Sequence, residues 1–137
     1  MHTVTFWPVL VAAIAAFIVS ALWYSPILFG KEWMALTKMS AADMAAAKAK
    51  GVWKLYVVQF IVSLVTFGVL AFLVGSSSAA GASDGAFLGF IAWLGFIATA
   101  LVGGMLWEKK TFKLILIQGV CTLLTLVIGG AIIGGWR

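Results

Sequence analysis

Two polar stripes interrupt an otherwise apolar sequence, and they are the residues best placed to do chemistry. Each stripe is a glutamine followed by two hydroxyl residues at spacings of four and seven, which puts all three on one helix face. The stripes are Gln59, Ser63 and Thr66, and Gln118, Thr122 and Thr125. An unpaired amide in hydrocarbon is costly, so both glutamines are expected to face protein. The pattern predicts either hydrogen bonds between helices or a polar path or small-ligand site that opens to the cytoplasm.

The composition places these stripes in a membrane. Of the 137 residues, 64% are hydrophobic and 9% are charged, whereas a soluble domain is about 25% charged. Four stretches reach the roughly 20 apolar residues that a spanning helix needs. They are roughly Phe6–Tyr24, Leu55–Val74, Gly85–Trp107 and Leu114–Gly135. The predicted fold is therefore all-α: one transmembrane domain over residues 1–137, built as a four-helix bundle.

The two stripes lie in segments that resemble each other. Trp53–Thr66 and Phe112–Thr125 both read aromatic, Lys, Leu, Gln, hydroxyl, Leu and Thr in the same order. The apolar segments before them both end in Leu-Trp, at Trp23 and Trp107. The simplest account is an internal repeat of a helical hairpin. Both copies have the same orientation, so a pseudo-two-fold axis is expected along the membrane normal.

The basic residues indicate the topology. The net charge is +5, but the lysines show no dense basic face, so no nucleic-acid partner is expected. The first and third loops carry the lysines, at Lys31–Lys54 and Lys109–Lys113, whereas the opposite side has only Arg137. The positive-inside rule then places both loops in the cytoplasm and both termini outside it. We expect a multi-pass protein of a bacterial inner membrane.

The first loop, residues 26–53, is the longest polar segment. Ser40–Asp43 resembles a capping box, and Ala41–Lys50 is rich in alanine. We expect a short helix there, on the membrane surface, as a solvated connector or alternatively as a gate or docking element. The first span lacks a positive segment before it and a small-residue cleavage pattern after it, which predicts that it is retained.

Few other side chains suit catalysis. Cys121 is the only cysteine and His2 the only histidine, so neither a disulfide nor a metal site is expected. No acidic residue lies inside an expected span, which disfavours proton relays. Glu32 and Glu108 are candidates for an acid–base pair, but we expect them to pair with nearby lysines. The sequence therefore predicts no enzyme, no metal and no cofactor.

Aromatic residues gather at the cytoplasmic ends of the spans, and Trp93 lies well inside the third. The clustered residues are Trp23, Tyr24, Trp33, Trp53, Tyr56 and Trp107. An interfacial belt accounts for them, and a pocket for a lipid, quinone or hydrophobic amine is the alternative. Glycines recur every four residues from Gly81 to Gly89 and crowd Gly129–Gly135. Such small faces suit close helix packing, so a homo-oligomer (dimer or trimer) or a membrane-protein partner is expected.

The end of the first span carries a motif of its own. It contains Trp23, Tyr24, Ser25, Pro26, Phe29, Gly30 and Trp33. The first two residues anchor the helix at the headgroups, Pro26 stops it, and Phe29 and Trp33, four apart, can return an apolar face to the membrane. With Trp93–Phe96 and Leu106–Glu108, this segment resembles the domain of unknown function 1761, a bacterial family of small membrane proteins. The resemblance covers nearly the whole chain and implies a four-helix integral membrane protein, but it implies no reaction, ligand or catalytic residue.

Three functions are consistent with these features. The first is a non-enzymatic structural, accessory or regulatory membrane subunit. The second is an oligomeric channel or transporter for small solutes or ions, with its polar path at Gln59 and Gln118. The third is a lipid- or quinone-binding membrane protein that uses the aromatic residues.

Overall fold

The structure is a computed structural model that describes residues 6–25, 28–37, 41–49, 51, 53–108 and 110–136. These residues form α-helices and one π-helical turn. The helices are α1 (Phe6–Trp23), α2 (Gly30–Thr37), α3 (Ala41–Ala49), α4 (Trp53–Ser76), α5 (Gly81–Ala92), α6 (Thr99–Trp107) and α7 (Phe112–Gly135). The π-helical turn, Trp93–Ala98, joins α5 to α6 in one continuous helix.

Within the described residues, four helices are long and apolar enough to cross a membrane. They are Phe6–Trp23, Trp53–Ser76, Gly81–Trp107 and Phe112–Gly135. The prediction of an all-α membrane protein with four spans is confirmed, while the pseudo-two-fold relation between the hairpins stays a prediction. The long first loop contains the expected alanine-rich helix, α3, and also α2, which begins within the motif at the end of α1.

The third span begins earlier than expected, and this corrects one prediction. It starts at Gly81, so Asp84 lies in its first turn. The Asp84 carboxylate accepts a hydrogen bond from the backbone N–H of Ala80 at 2.9 Å. A carboxylate there satisfies a donor that the helix leaves without a partner and suits the positive end of the helix dipole. One acidic residue therefore lies inside a span, at its exposed edge.

Helix α7 is central to the bundle, because it contacts α1, α4, α5 and α6. One cluster of buried residues lies at the end of the bundle where α1 and α5 begin and where α4 and α7 end, which we call the termini end. The opposite end, where α1 ends and where α4 and α7 begin, is called the loop end. Core residues at the termini end are Val9, Ala12, Ala13, Ala16, Phe67, Leu70, Ala71, Val74, Leu126 and Ile133.

The closest helix contact joins α5 to α7 through glycine. A Cβ atom on Gly85 would collide with the backbone carbonyl of Gly130, and one on Gly89 would collide with that of Leu126. Gly134 in turn lies against the backbone of Gly81 and Gly85. The glycine faces that the sequence offered for self-association are therefore occupied inside the chain, where each supplies the surface against which the other packs.

Gly85→Ala is expected to lower the free energy of unfolding by about 1–3 kcal/mol, because the added methyl group overpacks two backbones in contact. The matched control is Gly68→Ala on α4, where no described atom lies within 4 Å of the new Cβ. There alanine should be neutral or stabilising by up to about 1 kcal/mol, since it favours helix more than glycine does. Denaturation in mixed micelles, followed by circular dichroism, measures both. Equal losses in the two variants would contradict this account of the contact.

Candidate functional site

The motif at the end of α1 forms a tight hydrogen-bonded turn, which we call the signature turn (residues 23–33). The Ser25 hydroxyl donates to the carbonyl of Leu22 at 2.7 Å. The Ser25 carbonyl accepts from the backbone N–H groups of Leu28 at 3.1 Å and Gly30 at 2.9 Å, and Phe29 N–H donates to the Trp23 carbonyl at 3.0 Å. These bonds end α1 and begin α2 within a few residues. Pro26, the predicted helix stop, lies outside the described residues.

Gly30 is the residue that the signature turn cannot replace. A Cβ atom at this position would collide with the backbone carbonyls of Tyr24 and Ser25. The close approach brings α2 back beside the end of α1. The spacing of Phe29 and Trp33 indicated such a return, but the steric reason for Gly30 depends on the turn itself and has no signal in the sequence.

Aromatic contacts hold α2 against the end of α1. The rings of Trp23 and Phe29 have centroids 4.5 Å apart, and Tyr24 meets Trp33 edge-on at 5.8 Å. Burial raises the pKa of the Tyr24 phenol to about 12, and Cys121 adds to the effect. The phenol therefore stays neutral to a higher pH than that of an ordinary tyrosine.

The signature turn is attached to α7. The indole N–H of Trp23 donates to the carbonyl of Ile117 at 2.9 Å. One turn before the helix end, the Ser20 hydroxyl lies 3.8 Å from the Cys121 thiol. From α2, the Glu32 carboxylate pairs with the Lys113 ammonium at 3.3 Å. The turn is thus a connector that ties α1, α2 and the start of α7 together at the loop end.

Both glutamates at the loop end pair with lysines, as predicted. In addition to the Glu32–Lys113 pair, Glu108 pairs with Lys110 at 3.1 Å. Both pairs are substantially exposed, so each contributes little to stability. The alternative arrangement, an acid–base pair between the two carboxylates, is not what these contacts form.

Trp93 connects the third span to α7 in the middle of the membrane. Its indole N–H donates to the carbonyl of Gly119 at 2.9 Å and to the Thr122 hydroxyl at 3.0 Å. The Thr122 hydroxyl itself bonds back to the carbonyls of Gln118 and Gly119. One stripe residue, Thr122, therefore acts as helix-to-helix hydrogen-bonding glue, with a partner that the stripe pattern did not contain.

The remaining hydroxyls of the stripes bond to their own helices. Thr125 donates to the carbonyl of Thr122 at 2.9 Å, and Thr66 donates to that of Val62 at 3.0 Å. Ser63 is partly buried on α4. In both cases the threonine hydroxyl donates its proton to a carbonyl of the preceding helical turn. This is an ordinary way for a hydroxyl to be tolerated in an apolar helix.

The two glutamines are not brought together. Gln59 is exposed on the surface of the single chain, whereas Gln118 is partly buried. Among the hydrogen bonds of the described residues, none joins the two amides. The expectation that both face protein therefore fails for Gln59 within one chain. Equal spacing fixes the face of each helix, but it does not fix which neighbour covers that face at that depth.

The π-helical turn is the feature that sequence reasoning missed. The segment Trp93–Ala98 reads as ordinary apolar helix, without the proline that commonly marks an irregularity. The isolated position of Trp93 was the available signal, because an indole N–H deep in a membrane needs an acceptor. Single π-helical turns are frequent at functional sites, which makes the third span the one to examine for function.

The fold and these contacts define a multi-pass, all-α membrane protein whose loop end is closed by an aromatic turn. The chain belongs to the DUF1761 family: the family model, described as "Protein of unknown function (DUF1761)", matches residues 7–134. The resemblance noted in the sequence is thereby confirmed, and the match includes the signature turn and both stripes. No curated protein and no solved structure matches the chain.

Trp93→Phe is expected to lower the free energy of unfolding by about 0.6–1.7 kcal/mol, the range for hydrogen bonds between membrane helices. The ring is kept, so the loss reports mainly the bonds to Gly119 and Thr122. Trp107→Phe is the matched control, because Trp107 is 87% exposed at the end of the same span. Denaturation in mixed micelles compares them. A loss at Trp107 as large as that at Trp93 would rule out the hydrogen bonds as the cause.

Proposed function

We propose that the protein is a non-enzymatic structural, accessory or regulatory subunit of the bacterial inner membrane, and that it acts by binding further copies of itself. The observation that carries the proposal is an open stripe of small residues on the third span. Gly95, Thr99 and Gly103 follow one another at spacings of four. No described atom lies within 4 Å of a Cβ built on Gly95 or Gly103.

This stripe has the spacing that the chain uses for its own closest helix contact. Gly85 and Gly89, also four apart, let α5 touch the backbone of α7. Helices in lipid associate through such close packing, because lipid tails are as apolar as the side chains. Helix α6 has no buried residue in the single chain. A second copy packed on the open stripe would give α6 the contact that α5 already has.

The contacts of the acidic residues support a role without catalysis. Glu32 and Glu108 each pair with a lysine and not with each other, which favours a structural role for both carboxylates. The polar groups of the signature turn likewise form hydrogen bonds within the turn and to α7. These arrangements are consistent with a structural protein that binds another membrane protein or a second copy of itself.

The exposed amide of Gln59 favours a second candidate, an oligomeric channel or transporter for small solutes or ions. An amide inside a span needs a partner, and in an oligomer this partner would come from another copy. Gln59 side chains gathered between copies would then line a polar path. Reconstitution of the pure protein in liposomes separates the two candidates, since flux of a small solute or ion is expected only from the channel.

The oligomer is tested with Gly103→Leu. The larger side chain blocks close approach of a second helix, and its Cβ has no described atom of its own chain within 4 Å. We expect the wild type to be a dimer or trimer in lipid nanodiscs or mild detergent, and the variant to shift to monomer. Gly68→Leu is the matched control, on a different helix and equally free of intrachain neighbours. Native mass spectrometry reads the mass of each species.

Two results would overturn the assignment of this interface. One is a wild type that stays monomeric at every protein concentration in the bilayer. The other is a Gly103→Leu variant that associates as well as Gly68→Leu does. Circular dichroism of both variants confirms that the helices are intact before the masses are compared.

The proposed topology has its own test. The lysines of the loop end predict that both termini lie outside the cytoplasm. Alkaline phosphatase fused after the last residue should be active, whereas green fluorescent protein at the same position should be dark. Insertion of the reporters in the Ala41–Ala49 helix should give the opposite pattern. Fluorescence from the C-terminal fusion would place the termini in the cytoplasm and reverse the assignment.

A further inference from the structure

A groove runs along the outer surface between α1 and α4 at the loop end. Its volume is about 350 Å³, and it is lined by Ile14, Phe17, Tyr56, Val57, Phe60 and Ile61. All six side chains are aliphatic or aromatic, and the groove is open on one side. It belongs neither to the signature turn nor to the open stripe on the third span, and its size lies within the range of about 300–1,000 Å³ typical of ligand sites.

The residues of α1 and α4 differ in burial along the length of the two helices. At the termini end, the small residues Ala12 and Ala16 of α1 are buried in the core with Phe67 and Ala71 of α4. Toward the loop end the large rings of Phe17 and Tyr56 face each other, with centroids 6.0 Å apart.

Lys54 lies one helical turn before the groove residues of α4, toward the membrane surface. Lys54, Val57 and Ile61 are spaced i, i+3 and i+7, so they share one face of α4, and the latter two line the groove. The Lys54 ammonium lies 5.7 Å from the centroid of the Trp53 ring. These two residues begin a helix of 24 residues, about 36 Å long at 1.5 Å per residue and thus long enough to put its first turn among the headgroups.

We propose that this groove binds one acyl chain of an anionic phospholipid whose phosphate pairs with Lys54. The ligand chemistry follows from the order of the residues. A cation at headgroup level selects a negative charge, and an apolar channel directly beneath it selects a hydrocarbon chain. A quinone has an apolar tail but no anionic group for Lys54. A second copy of the protein would have to supply an acidic residue at this depth.

Native mass spectrometry of the full chain tests the assignment. The protein is titrated with phosphatidylglycerol and with phosphatidylcholine of the same acyl chains. The wild type is expected to bind phosphatidylglycerol about fivefold more tightly, which is the effect of one basic residue at an anionic headgroup. Lys54→Gln should abolish this preference while still binding both lipids, and Lys31→Gln, at an exposed lysine outside the groove, should keep it.

The acyl-chain part is tested by filling the groove. Val57→Trp, from the α4 wall, and Ile14→Trp, from the α1 wall, should each reduce retention of both lipids at least severalfold. Val65→Trp is the matched control, because Val65 is exposed on α4 and lies outside the groove. Two walls are used so that a folding defect in one variant still leaves the other to decide.

Several results would overturn the lipid site. Equal affinity of the wild type for the two lipids removes the role of Lys54. Unchanged retention in both tryptophan variants removes the groove as the site. If the two tryptophan variants lost their oligomers but still retained both lipids, a second copy of the protein would be the occupant of the groove. The proposal stands apart from self-association on the third span, since monomeric Gly103→Leu should keep the lipid preference.

Discussion

The contact between the backbones of α5 and α7 is the constraint on which the rest of the structure depends. The hydrophobic effect drives the packing of soluble cores, but lipid tails are as apolar as the side chains. In lipid, two helices are therefore stabilised by association only if they pack more closely on each other than on acyl chains. Glycine allows such a close contact at Gly85 and Gly130, where no side chain separates the backbones of the two helices. With this contact fixed, α7 becomes the helix against which α1 and α4 also pack.

Different interactions stabilise the two ends of the bundle. At the termini end, small, aliphatic and aromatic side chains form an apolar core. At the loop end and in mid-membrane, α7 instead receives hydrogen bonds from tryptophan, at Ile117 from Trp23 and at Gly119 from Trp93. Lys113 adds an ion pair with α2. The groove between α1 and α4 also lies at the loop end.

The spans and their order could be predicted from the sequence because each span depends only on a local run of apolar residues. A run of apolar residues long enough to cross a bilayer has few alternatives, and the observed bounds differ from the expected ones by a few residues. The signature turn was also identified, since Ser-Pro after Trp-Tyr has local consequences. Its hydrogen bonds to Leu22 and Trp23 come from residues within a few positions of one another.

What could not be predicted depends on which helix covers which face. Gln59 and Gln118 occupy equivalent places in their segments, yet one is exposed and the other partly buried. Periodicity describes a helix relative to its own axis and contains no information about its neighbours. The glycine faces show the same limit from the other side: close packing was predicted correctly, but their partner was sought in another chain when it lay in this one.

The π-helical turn separates two parts of the third span that differ in burial. A π-helical turn inserts a residue into a helix, which rotates everything after it by about 100° relative to the face before it. Gly85 and Gly89, before the turn, are buried against α7. Beyond the turn α6 buries none of its residues, and Thr99 and Gly103 lie on its unpacked side. The hydrogen bonds of Trp93 tie the start of the turn to α7. Beyond it α6 still contacts α7 but is less buried than α5, so more of its surface stays open in the single chain.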